Sequence, residues 1–137
     1  MPEFSAKSLR ALSTCHPDIR VVFFWVIKHR DCTAIEGVRS DEKQAENVRT
    51  GRSKTMNSKH LKQPDGFSHA LDCAPYPVDW KDGKGFALFA GYVLAVADWM
   101  FEAGKINHRL RWGGDWDSDG NVREHSFFDG PHFELRV

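Results

Sequence analysis

Ser68-His69-Ala70-Leu71-Asp72-Cys73-Ala74-Pro75-Tyr76-Pro77 carries the pattern from which the fold class is read. His69 to Ala74 predicts a strand, and the Pro75-Tyr76-Pro77 group closes it. Period-two geometry then sends Ala70, Asp72 and Ala74 to one face, and His69, Leu71 and Cys73 to the other. A carboxylate flanked by two alanines has open space around it and can hold an ion or a substrate. Alternatively, Asp72 caps a loop or pairs with an arginine.

Working outward, residues 5–14 and 17–29 predict two helices. His16-Pro17-Asp18 starts the second, because proline is tolerated and an acid favoured in a first turn. Ile19, Val22, Phe23, Val26 and Ile27 follow at the spacing of one buried face. Cys32 to Val38 reads as a strand entering a turn, and Ser40 as the N-cap of a third helix. Gly51 to Lys59 reads as a loop. Gly85 to Ala103 is the most apolar helix, ended by Gly104. Arg109 to Trp112 and His132 to Val137 predict short strands around a Gly/Asp/Asn-rich stretch. Helices and strands without regular βαβ alternation imply an α+β domain, with helices packed on a small, largely antiparallel sheet.

The chain has 137 residues, the size of one domain, with no repeat and no low-complexity linker. A single domain over 1–137 is therefore expected, without a separate binding unit. Nineteen basic residues balance nineteen acidic ones, which gives no electrostatic reason to propose nucleic acid or an anionic lipid surface as partner. The N-terminus lacks the pattern of a secretory signal, and the apolar run Gly85 to Ala97 is short for a membrane span. Synthesis in the cytoplasm and no stable membrane insertion are the expectations. Cys15, Cys32 and Cys73 have no CxxC spacing and read as reduced thiols.

Seven histidines invite a metal hypothesis. His16, His29 and His108 lie beside charged or capping residues and read as ordinary surface histidines. His125 sits in a polar stretch and is only slightly more informative. The informative segments are Ser58-Lys59-His60, the strand bearing Asp72, and Asp129-Gly130-Pro131-His132-Phe133-Glu134-Leu135. In the last, Asp-Gly-Pro turns into a strand and places Asp129 beside His132. Two imidazoles and one carboxylate would give zinc three protein ligands and leave a fourth position for water. No compact HExxH motif is present, so spacing by itself leaves the metal site and the ordinary capping roles both open.

Ser58-Lys59-His60, followed by His69-Ala70-Leu71-Asp72 and Cys-Ala-Pro-Tyr, resembles the S-x-H…G-x-A-x-D zinc motif of the D-Ala-D-Ala dipeptidase and carboxypeptidase superfamily, which shares the hedgehog-like fold. Within that group the chain is most similar to the L-alanyl-D-glutamate endopeptidases that tailed phages use as endolysins. Glu36-Gly37-Val38-Arg39-Ser40, Leu110 to Trp116 and Phe128 to Leu135 agree in order, so the likeness runs from about Ser5 to Leu135. The resemblance implies zinc held by His60, Asp72 and His132, with Asp129 as general base. It implies Arg39 as the group that binds substrate or the developing oxyanion. Ser58 and Trp112 are carried as substrate-binding candidates, with Trp116 beside them and turn-capping or sheet-covering as their other readings. Two departures stand out. His60 and Asp72 are twelve positions apart, through an apparent insertion at Lys62 to Phe67, and Ser68 replaces a usual glycine. The insertion raises His69 as a rival ligand, which strand alternation disfavours.

The implied activity is zinc-dependent hydrolysis of the L-Ala–D-Glu amide in peptidoglycan stem peptides, leading to cell lysis. The rivals are cleavage at D-Ala–D-Ala and a non-catalytic binding module on the same fold. A monomer made in the host cytoplasm and acting on the wall after release through a membrane pore is what the resemblance implies. Asp115, Asp117 and Asp119 alternate and could bind calcium, although the loop to Asn121 lacks the closing Glu spacing of an EF-hand.

Overall fold

The computed structural model describes residues 2–120 and 128–136. His125, Asn121 and Val137, each part of an expectation above, lie outside the described residues. Among the described residues, four helices and four strands follow in the order α1 (Ala6–Ser13), α2 (Pro17–His29), β1 (Cys32–Glu36), α3 (Asp41–Arg49), β2 (Ala70–Pro75), α4 (Gly83–Glu102), β3 (Leu110–Trp112) and β4 (His132–Leu135). The strands form one antiparallel sheet in the order β1-β2-β4-β3, giving the α+β architecture that the sequence predicts.

Local signals set the helix ends. Ser5 and Ser40 accept from the backbone N–H three residues on, capping α1 and α3. His16 caps α2 through its side chain, with Pro17 in the first turn. Asp82 caps α4, which begins slightly before the predicted glycine. By length and apolarity α4 could cross a membrane. In the fold, its buried positions Phe86, Phe89, Ala90, Val93, Val96, Ala97 and Met100 recur at helical spacing and pack on α2 and the sheet.

The sheet has two unlike faces. Leu71, Cys73, Phe133, Leu135, Leu110 and Trp112 join the core under α2 and α4. Phe133 is wholly buried between Phe23 and Phe89, with ring centroids 5.5 and 6.1 Å away, so truncating it to alanine should cost about 3–5 kcal/mol. The opposite face carries Asp72, His132 and Glu134. Asp72 faces His132 directly across the β2–β4 pair, and Glu134 follows His132 on the same side. Ala70 and Ala74, expected to leave open space beside Asp72, are fully buried. The room at Asp72 therefore lies in front of its carboxylate and not over its strand neighbours. All three cysteines are free and buried, and burial pushes the Cys15 thiol up to about 12.

Candidate active site and metal centre

Three segments converge on the polar face. β2 supplies Asp72 and β4 supplies His132 through strand register. His60 arrives from the loop after α3. Its backbone carbonyl accepts from Arg39 N at 2.8 Å, and its N–H donates to Ser58 Oγ at 3.1 Å. Residues Lys62 to Ser68 form a small turn-out, with Gln63 N donating to Phe67 O at 2.9 Å. That excursion accounts for the long His60–Asp72 separation without moving His60 from the site.

His60 Nε2, Asp72 Oδ1 and His132 Nδ1 form a triangle with sides of 3.0, 3.2 and 3.4 Å. A tetrahedral ion with bonds of about 2.05 Å separates its ligands by about 3.3 Å, so the triangle has the size zinc requires. The outer ring nitrogens decide where the lone pairs point. His60 Nδ1 lies 2.8 Å from Gly37 O, a group that can only accept, so the proton sits on Nδ1 and Nε2 faces inward bare. His132 Nε2 lies 2.8 Å from Glu134 Oε1, which turns the bare Nδ1 inward likewise. Two lone pairs and a carboxylate face one point, an arrangement that a cation stabilises. His60 is 1% exposed and His132 5%, so water does little to relieve that crowding.

Titration follows the same geometry. Without an ion a proton takes its place between the rings and Asp72: burial would raise the Asp72 carboxyl, but the hydrogen bonds which that proton makes possible from the His132 and His60 side hold it far below the usual range. Burial opposes charge on His132, yet Asp72 and Glu134 outweigh it and push the imidazole up to about 9. For Asp129, burial raises the carboxyl and the charge of Asp72 adds to it, with His132, His60 and Arg39 pulling back. Its Oδ2 lies 3.9 Å from His132 Nδ1.

Two glycines make these approaches possible. A Cβ on Gly37 would stand 2.2 Å from Thr14 Oγ1 and 2.5 Å from Ala11 O. One on Gly113 would stand 2.2 Å from Asp129 O. Gly113 instead bonds the turn, donating to His132 O and accepting from Asp129 N, both at 2.8 Å.

Arg39 is held rather than free. Nε donates to Glu36 Oε1 at 2.9 Å and Nη1 to Gln44 Oε1 at 2.7 Å, and Nη2 makes a further short contact with Glu36. Its Nη2 is 3.8 Å from Asp72 Oδ2, which puts the guanidinium on the wall of the site. A cavity of about 510 Å³ opens in front of the triangle, with Arg39, Ser58 and Asp129 in its lining. Ser58 lines it while its hydroxyl also closes the turn carrying His60, so both readings of that residue meet there.

Trp112 is placed differently from the expectation. It is 4% exposed, belongs to the core and donates Nε1–H to Gly130 O at 2.7 Å. Strand parity explains this: Trp112 pairs with Phe133 on the apolar face, whereas Arg111 pairs with Glu134 on the polar one. Trp116 lines the cavity instead, its ring 5.3 Å from that of His132. Sequence reasoning also passed over Glu134, whose place two residues after His132 was the available signal. His69, the rival ligand, bonds Asp65 at 2.7 Å and takes no part. Asp115, Asp117 and Asp119 do come together, but Asp115 accepts from Asp119 N and Gly120 N and shapes the turn.

Comparison with known proteins gives the family. The model of the phage L-alanyl-D-glutamate peptidase family matches residues 2–136. The L-alanyl-D-glutamate peptidase of Escherichia phage T5 is 30% identical over 146 residues, covering 97% of this chain and 97% of that protein. The crystal structure of the Serratia marcescens L-Ala D-Glu endopeptidase ChiX superposes with a TM-score of 0.72 at 31% identity, over 98% of this chain and 90% of that one.

Proposed function

We propose, from the premise that this chain belongs to the phage L-alanyl-D-glutamate peptidase family and is a peptidase, that it is a zinc-dependent endolysin. Its substrate is the L-Ala–D-Glu amide of the peptidoglycan stem peptide. The observation that carries the zinc assignment is the inward-facing triangle of His60, Asp72 and His132, with both outer ring nitrogens already tied down.

Zinc, if held by His60, Asp72 and His132, would supply Lewis acidity toward the scissile carbonyl and toward water. The protein's own groups do the rest. Asp129, its carboxyl raised by burial, takes the proton of the attacking water at a carboxylate oxygen and passes it to the departing amine. Water adds to the alanyl carbonyl carbon, the C–N bond breaks, and the D-Glu nitrogen leaves protonated. Arg39, fixed by Glu36 and Gln44, donates to the carbonyl oxygen as negative charge develops. Glu134 keeps His132 Nδ1 aimed inward. Arg52, Lys54 and Lys59 on the cavity wall suit the carboxylates of a D-Glu-containing peptide.

Mass spectrometry of muropeptides digested by the zinc-loaded and the chelator-stripped protein tests this. New termini between L-Ala and D-Glu, formed only with zinc, are expected. Release of D-Ala, or of its dipeptide, would move the substrate to the D-Ala–D-Ala end, and intact stem peptides would leave only a binding module. We further propose that the protein acts as a monomer, without inserting in the membrane, on the wall that it reaches through a pore. Sedimentation as a dimer would remove the first statement, retention in salt-washed membranes the second, and lysis from within without a pore-former the third.

A further inference from the structure

A second histidine group lies apart from the cavity, where α2 begins and the chain enters β3. His16 Nδ1 accepts from Asp18 N at 3.0 Å. Asp18 is 6% exposed, and its Oδ2 accepts from Asn107 N at 2.9 Å and faces His108 Nδ1 at 2.8 Å. His16, Asp18 and His108 each present a ligand atom within 4.8 Å of the other two. The His16 ring stands edge-on between those of His108 and His69, at 5.2 and 5.3 Å. Asp65 holds His69 at 2.7 Å and lies 4.0 Å from His16 Nε2. Three imidazoles thus stand in a row with a carboxylate at each end.

Protonating such a row would set like charges against each other. A cap and an ion pair explain His16 and His108 singly, but they do not explain why a third ring and a second acid close the same row. We propose that His16, Asp18 and His108 bind a divalent transition ion of the zinc class, as a structural clamp separate from the catalytic centre. Imidazole with one carboxylate is a donor set for zinc, copper or nickel and a poor one for calcium or magnesium. The half-exposed rings close by about an ångström to reach the ligand spacing of about 3.3 Å. The Nδ1 proton of His108 moves to Nε2, and His16 Nδ1 exchanges the Asp18 N–H for the ion, leaving that N–H to water, so both rings stay neutral and no electrons change hands. Asp65 balances the remaining positive charge, and His69 stands within reach. The clamp joins segments about ninety residues apart in sequence, so the ion stabilises the folded chain by binding it in preference to the unfolded one.

Titrating the metal-stripped full chain with zinc in a calorimeter tests this. About two equivalents should bind the wild type, the second more weakly because its ligands are not preset. His60→Ala should keep the weak event and lose the tight one. A His16→Ala/His108→Ala double variant should keep the tight event and its peptidase activity and lose the weak one. Raising zinc beyond the first equivalent should lift the wild-type thermal midpoint by several degrees, and that of the double variant not at all. His108→Gln, which keeps a donor for Asp18 but removes the ring, guards against a loss caused by the missing cap. A single equivalent in the folded wild type overturns the proposal, as does a weak event that persists in the double variant or in His108→Gln.

Discussion

His60, Asp72 and His132 are chemically the same set as His16, Asp18 and His108, and the fold treats them differently. In the first set both rings are buried, and each outer nitrogen donates to a fixed acceptor, Gly37 O or Glu134. Their lone pairs converge at 3.2 Å. In the second set the rings are half-buried, and the same groups spend their hydrogen bonds on one another and on the backbone. Donor identity is therefore a weak guide to how tightly a centre holds its ion. The partners behind the donors decide whether the lone pairs are preset, as in the first set, or must first give up other bonds, as the weaker binding proposed for the second set requires.

The largest expected effect separates the sets by chemistry. Asp129→Ala should lower turnover by about two to four orders of magnitude while zinc content stays unchanged. Lysis at the wild-type rate would remove Asp129 from the mechanism and break the claim that only the buried set is catalytic.

The next concerns the proton that competes with the ion. His132 has an ordinary value of 6.5 and is raised to about 9 in the metal-free fold. The folded form then holds that proton more tightly than the unfolded chain does, so the stabilisation is complete below pH 6.5 and is lost as pH rises through 9. The loss is at most about 3 kcal/mol, since the same pairing also holds Asp72 low and counts once. Urea midpoints of stripped protein should fall across that window, and zinc should abolish the fall. A flat profile in the stripped protein would contradict the convergence of acceptors on His132.

Glu134→Gln sharpens the comparison further, because it weakens the charge-assisted tie of the His132 ring. Zinc affinity should drop about 10–100-fold in a competition titration; an unchanged affinity would show that β4 alone orients the ring. Smallest is Trp112→Phe, which deletes the bond to Gly130 O and should cost about 1 kcal/mol in a denaturant melt, with little change in substrate affinity. A large rise in KM would return Trp112 to the substrate-binding surface.

The elements were legible because their signals are local: Pro17 and Ser40 at helix starts, and alternation along β2. The meeting of His60, Asp72 and His132 was legible through motif order, and His69, which alternation set apart from Asp72, bonds Asp65 instead. Trp112 and Glu134 depended on the register between β3 and β4, which no single segment contains. The burial of Ala70 and Ala74, and the meeting of His16 with His108, arise only when distant segments pack.

The most direct test is the zinc content of protein purified without added metal and dialysed to clear weakly held ions, for the wild type and for His60→Ala. Stoichiometric zinc in the wild type and almost none in His60→Ala is the predicted result. Equal zinc in both would contradict the buried set as the metal centre.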